Sequence, residues 1–218
     1  MKPRICASIV ANDIPAIKEV APLVDLFELR IDLVGKGWPE LAGQLAKPWI
    51  ACNRTAGEGG NWQGSEAKRI EALLQALGLG ASIVDIELNT LGLPEIVKKI
   101  KKQAKCLISY HDLKATPSPE KMRQIIQRQL EAGADICKLV ATATKSEDNL
   151  AMLQLIKDFP DNRVVSFVMG PMGQVSRVFC PLVGGDFTYG SISAGRESAP
   201  GQLTVQNLRK IYEMLKYD

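Results

Sequence analysis

A single histidine, His111, follows the apolar run Cys106-Leu107-Ile108-Ser109-Tyr110, and twenty-seven residues later Lys138 interrupts a second run, Ile136-Cys137-Lys138-Leu139-Val140. Imidazole is the side chain best matched to moving protons near neutral pH. An amine among apolar neighbours loses hydration of its charged form, so the sequence predicts a lowered pKa and a nucleophilic Lys138. Together the two groups suit carbonyl chemistry through a Schiff base. Most other lysines fall on helix-like or loop segments, and burying an ammonium is costly unless it is paired or neutralised.

The elements that must position this pair can be read from the alternation of short apolar runs with amphipathic stretches. Strand-like runs lie at about residues 4–10, 25–31, 48–53, 82–88, 105–110, 135–140, 163–169 and 186–190. Between them are helix-like segments with N-terminal signals: Asn12 or Asp13 before Pro15, Ser65 before Glu66, Ser118 before Pro119, and Ser146 before Glu147-Asp148. Gly78, Gly80 and Gly133 mark helix ends, and Leu203, Leu208, Ile211 and Leu215 give the last helix, 203–216, its period. Eight strands, each followed by a helix, predict a closed parallel α/β barrel, the (β/α)8 TIM barrel, as a single domain over 1–218. An open doubly wound sheet is the alternative, but no Gly-x-Gly-x-x-Gly turn follows the first strand.

In such a barrel the site lies at the carboxyl ends of the strands. Charged residues recur there. Strand 2 ends in Glu28-Leu29-Arg30, whose charged members alternate and share a face. Strand 3 runs through Arg54 into Gly57-Glu58-Gly59-Gly60, strand 4 holds Asp85 and Glu87, strand 7 leads to Arg177, and strand 8 leads to Ser198-Ala199-Pro200-Gly201-Gln202. Glu28 with Arg30 could be a purely structural pair, and Arg54 a barrel-end cap. The glycine-rich loop could cradle phosphate, but its central carboxylate would repel that ligand; placing Glu58 against His111, to orient the ring and stabilise its cation, fits better. The Ser198–Gln202 segment reads as a lid or as an ordinary loop.

Composition narrows the classes further. A net charge of +3 gives no argument for nucleic acid, and the run Lys98-Lys99-Ile100-Lys101-Lys102 reads as a solvated helix face. No stretch has the apolar length of a membrane span, and Met1-Lys2-Pro3-Arg4 leads into a strand-like run rather than a signal peptide. Five cysteines (Cys6, Cys52, Cys106, Cys137, Cys180) with no C-x-x-C pair, beside one histidine, offer little for a zinc site and read as reduced core thiols of a cytoplasmic protein.

Six segments in order resemble the type I 3-dehydroquinate dehydratases of the shikimate pathway: Glu28-Leu29-Arg30-Ile31-Asp32, Arg54 to Gly60, Ser109-Tyr110-His111-Asp112, Lys138, Met169 to Arg177, and Ser198 to Gln202. The resemblance implies a (β/α)8 barrel, a lyase acting on 3-dehydroquinate, no metal and no organic cofactor. It implies that Lys138 forms the Schiff base, that His111 is general base and then general acid, and that Glu58 orients His111. It implies that Arg177 clamps the substrate carboxylate. Glu28, Arg30 and Arg54 would bind hydroxyls and balance charge, with Ser198 and Gln202 closing from the lid. Members of the family are often homodimers, though no interface stripe can be assigned here. Two positions depart from the family's usual pattern, Tyr189 for phenylalanine and Gly57 for a larger residue. A class I aldolase of the same fold, and a barrel that only binds polyhydroxy acids, are the competing readings.

Overall fold

The computed structural model describes residues 2–217. In chain order the elements are β1 (Ile5–Ile9), α1 (Ile14–Val20), β2 (Leu26–Arg30), α2 (Ile31–Val34), α3 (Trp38–Ala42), β3 (Trp49–Cys52), α4 (Glu66–Gly78), β4 (Ile83–Glu87), α5 (Leu93–Ile100), β5 (Lys105–Asp112), α6 (Pro119–Glu131), β6 (Ile136–Thr142), α7 (Asp148–Asp158), β7 (Val164–Met169), α8 (Gln174–Phe179), β8 (Thr188–Ser191) and α9 (Val205–Met214). The strands form one parallel sheet in the order β7-β6-β5-β4-β3-β2-β1-β8, a nearly closed (β/α)8 barrel. Among the described residues no ladder joins β7 to β8; at the foot of that seam the Asp186 N–H donates to Val164 O at 2.9 Å.

Strands covered on both faces read as continuous apolar runs, which is why β1, β4 and β6 show little alternation of hydrophobicity. Their outward faces join the helices in one large core. Inward-facing residues alternate along each strand, and they change character with height. Leu26, Ile50, Ile83, Leu107, Ile136 and Phe187 make an apolar floor inside the barrel. Two residues further along the same strands stand Glu28, Cys52, Asp85, Ser109, Lys138 and Tyr189, all buried. Two residues beyond those come Arg30, Arg54, Glu87, His111 and Val140. The floor is apolar, and the levels above it carry most of the polar and charged groups inside the barrel.

Helix starts follow local chemistry. Asp13, Ser65 and Ser118 each accept the backbone N–H three residues on, satisfying donors that the first turn cannot. Ser146 does not cap α7. The Asp148 carboxylate instead accepts the Thr144 and Lys145 N–H groups, folding the chain back before the helix, and Glu147 occupies the cap position. The last helix is shorter than its apolar period suggests, Val205–Met214, because Thr204 caps it by accepting the Asn207 N–H. The lysine-rich run lies at the end of α5, with Lys98, Lys99, Lys101 and Lys102 exposed and Ile100 buried. Among the described residues no helix is long and apolar enough to cross a membrane.

Candidate active site

The mouth of the barrel holds a cavity of about 290 Å³. Its lining includes every site residue named from the sequence: Glu28, Arg30, Arg54, Glu58, His111, Lys138, Arg177, Ser198 and Gln202. Leu113, Val140, Thr142, Phe167, Met169 and Tyr189 complete the wall. Lys138 and His111 come from adjacent strands. Ser109 is the register partner of Lys138, so His111 stands two residues higher on the neighbouring strand and on the same face.

Lys138 is 5% exposed but not surrounded by apolar groups alone. Its Nζ donates to Asp85 Oδ2 at 3.0 Å and to Glu28 Oε1 at 3.4 Å. Burial pushes the amine's pKa down, yet Asp85 and Glu28 outweigh it and hold the group above the ordinary lysine value. This corrects the expectation of a lowered pKa. The run around Lys138 is apolar along its own strand, but its decisive neighbours come from β4 and β2 across the barrel. Burial likewise works against the Asp85 carboxylate, but Arg54 and Lys138 keep it far below the usual carboxylate range.

Asp85 is the hub that the sequence reading left without a role. It accepts from Arg54 Nη2 at 2.7 Å, from Lys138, and from the Ser109 hydroxyl at 2.6 Å. Its visible signal was its spacing: Asp85 and Glu87 are two apart in an apolar strand, hence on one inward face. Glu87 in turn pairs with Arg54 at 3.0 Å and with the fully buried Arg69 at 2.6 Å. Glu28 and Arg30 are not paired to each other. Glu28 faces Lys138, while Arg30 makes two parallel bonds to Asp32, at 2.9 and 2.7 Å. Asp32 also accepts the Asn61 N–H at 2.9 Å, tying Arg30 to the loop that carries Glu58.

That loop delivers Glu58 to His111. Glu58 Oε2 lies 2.8 Å from His111 Nδ1 and accepts the His111 backbone N–H at 3.0 Å, leaving Nε2 for other work. Burial raises the Glu58 carboxyl to about 7, with Arg54 opposing and Glu87 adding to the rise. Burial, then Arg54 and Lys138, push the His111 imidazole well below its usual value. The shift favours the neutral form of the ring. Gly60 is needed here, since a Cβ at that position would run into the Arg54 backbone.

Above the cavity, the Ser198 N–H and hydroxyl both donate to Gln202 Oε1, at 2.7 and 3.1 Å. Gln202 Nε2 donates to the Ser8 hydroxyl at 3.3 Å, and that hydroxyl donates to Glu28 Oε2 at 3.2 Å. This segment is thus connected to the counter-ion of Lys138. It is pinned on its other side by the Gly170 N–H, which donates to Pro200 O at 3.1 Å. Gly201, with φ +77°, could carry no side chain without striking the Gly170 carbonyl.

Arg177 differs from the other buried cations. Among the described residues no carboxylate pairs with it, and its Nε has no hydrogen-bond partner. It makes one long bond, Nη2 to Pro200 O at 3.4 Å. Burial alone pushes its pKa down to about 10. A buried guanidinium facing a cavity with an unused Nε–H can receive a planar anion.

A cation site has little room in this network. Glu28, Cys52 and Asp85 do offer three ligand atoms within 4.8 Å of one another, a grouping that the scattered cysteines did not suggest. Both carboxylates are already held by the Lys138 ammonium, and Arg54 Nη2 lies 3.4 Å from the Cys52 sulfur. All five cysteines are free and buried.

Comparison with known proteins matches this arrangement to one family. A family model for type I 3-dehydroquinase covers residues 5–218. A 3-dehydroquinate dehydratase from Dehalococcoides mccartyi is 42% identical over 192 residues, covering 88% of this chain and 86% of its own length. One from Methanosarcina mazei is 37% identical over 208 residues, with the same shares of 88% and 86%. The crystal structure of type I 3-dehydroquinate dehydratase from Clostridium difficile, with covalently modified comenic acid, superposes with a TM-score of 0.84 at 26% identity, over 98% of this chain and 92% of that one. On the match over nearly all its length and on relatives above two-fifths identity, the chain belongs to the type I 3-dehydroquinase family of hydro-lyases.

Proposed function

We propose that this enzyme dehydrates 3-dehydroquinate to 3-dehydroshikimate by syn elimination through a Schiff base on Lys138, as a step of the shikimate pathway towards the aromatic amino acids. The observation that carries the reading is the convergence on one 290 Å³ cavity of a buried amine, a neutral imidazole and an anion-seeking guanidinium. Ketone, acidic C–H and carboxylate of the substrate each find a matching group.

The ammonium of Lys138 first gives up a proton, and the neutral His111 ring is the base in the cavity placed to take it. The amine attacks the ring ketone carbon. The resulting carbinolamine takes that proton back from the imidazolium onto its hydroxyl, loses water and becomes an iminium, which leaves His111 neutral again. The iminium draws electrons from the adjacent carbon, so His111 Nε2 removes the proton there and the C–H electron pair forms an enamine double bond. Collapse of the enamine expels the neighbouring hydroxyl, which leaves as water with the proton held by the imidazolium. Hydrolysis of the conjugated imine returns the amine and releases product. The carboxylates of Asp85 and Glu28, which make the resting amine a poor nucleophile, stabilise the iminium that follows.

Glu58 accepts from Nδ1 and so keeps Nε2 unprotonated and turned to the substrate. Arg177 binds the carboxylate with both arms of its fork. Arg30, Arg54 and Glu28 contact hydroxyls, and Ser198 and Gln202 close over the ring. The five free thiols support a reducing, cytoplasmic setting. Incubation with 3-dehydroquinate, followed by ultraviolet absorbance of the conjugated product, tests the reading. A rising signal is expected; its absence at high enzyme concentration rejects it.

A further inference from the structure

Two aromatic rings on the last two strands touch the two cations on which the proposed reaction depends. Lys138 Nζ stands 4.4 Å from the centroid of the Tyr189 ring. The guanidinium carbon of Arg177 stands 4.5 Å from the centroid of Phe167. The two rings meet edge to face, with centroids 6.0 Å apart and planes at 66°. Phe187, on the barrel floor, braces Tyr189 from below in a second such contact at 5.3 Å and 69°. The Tyr189 hydroxyl is buried with no hydrogen-bond partner among the described residues, whereas its ring face meets the lysine nitrogen.

We propose that Phe167 and Tyr189 form an aromatic platform that steadies the two working cations, Arg177 and the Lys138 nitrogen, by their ring faces. This inference rests on the dehydratase reading and names two positioning residues within it. For Arg177 the ring does what a carboxylate could not. A carboxylate would stabilise the buried charge but occupy the fork and compete with the substrate's own carboxylate. A ring face attracts the cation through its quadrupole and leaves the N–H donors unused. For Lys138 the advantage appears as the nitrogen changes state. An ammonium has three N–H donors and can serve Asp85 and Glu28 together, whereas an iminium retains one N–H. The ring requires no N–H, so its attraction persists through the step at which hydrogen bonds to the carboxylates are lost.

Graded fluorination separates this electrostatic role from mere packing. Mono-, di- and trifluorinated phenylalanines drain the ring face while nearly keeping its shape. They are placed at 167, and at 189 in a series that takes Tyr189→Phe as its unfluorinated reference. At 167 the KM for 3-dehydroquinate rises stepwise, to about tenfold at three fluorines, with kcat little changed. At 189 kcat and the amount of borohydride-trapped adduct fall by about tenfold, with KM little changed. On the ligand-free enzyme, carbon NMR of the Lys138 Cε reads a pKa that falls along the 189 series. Flat responses in kinetics and NMR alike would overturn the platform. Failure of the wild-type enzyme to turn over 3-dehydroquinate would reject the dehydratase reading instead, and the NMR series would still decide whether the Tyr189 face holds the lysine cation.

Discussion

Asp85 Oδ2 lies 3.0 Å from Lys138 Nζ and 2.7 Å from Arg54 Nη2, so one buried carboxylate balances two buried cations. Its position on β4 makes it the electrostatic centre of the barrel mouth.

Replacing it with asparagine preserves shape and removes the charge. Breaking a buried ion pair by deleting one partner costs about 3–5 kcal/mol. Asp85→Asn is expected to lower the urea midpoint accordingly while the barrel still folds cooperatively. An unchanged midpoint would mean that the two cations find equal compensation from Glu28 and Glu87.

On the proposed mechanism the Glu58–His111 pair is expected to set the acid limb of activity. Glu58 must be ionised to accept from Nδ1, and its carboxyl lies at about 7. As pH falls through that value the carboxyl gains a proton, donates to Nδ1, and leaves the hydrogen on Nε2, where the base is needed. The rate therefore rises with pH through about 7 in the wild type. In Glu58→Gln this titration is gone, and the limb moves down towards the depressed pKa of His111. Maximal turnover falls by about ten- to a hundredfold, as for other ring-orienting partners. A limb that stays near neutrality in the variant would assign it to another group.

Arg177→Met tests the cost of holding a cation ready. Arg177 is 2% exposed and, among the described residues, has no carboxylate partner. An apolar side chain of similar length removes that penalty, so thermal stability is expected to rise, at about 2–4 °C for each kcal/mol recovered. Affinity for the substrate should drop by about a hundredfold, since an anion and its charge-assisted partner are separated. A variant that is both less stable and equally active would contradict both halves.

His111→Ala separates capture from elimination. General acid–base assistance is worth about 10²–10⁴ in rate. Turnover should fall within that range while an imine on Lys138 still accumulates, visible by intact-protein mass spectrometry after reduction. Near-normal turnover would remove His111 from the proton transfers.

Much of the barrel was legible because each strand sits between a floor or cavity and a helix layer, leaving short apolar runs that end in glycine or capping residues. The inward face could be traced by the two-residue alternation of Glu28 with Arg30 and of Asp85 with Glu87. Lys138 announced itself by interrupting an apolar strand. What could not be read was who meets whom across the barrel. The pKa of Lys138 has the opposite sign from the expectation because its counter-ions come from β2 and β4, a relation fixed by register and closure rather than by neighbours in the chain. Arg30 and Glu28 share a face and could have been a structural pair, but the turn after β2 brings Asp32 back onto Arg30. Phe167 drew no reading and Tyr189 only one as a departure from the family's usual phenylalanine, since nothing local tells a packing ring from one that lies under a cation.

Reduction with borohydride in the presence of 3-dehydroquinate, followed by peptide mass mapping, addresses the covalent step itself. The expected result is one substrate-derived mass increment, on the peptide containing Lys138, lost in Lys138→Met together with turnover. An increment on a different lysine, or none while product still forms, would contradict covalent capture at this amine.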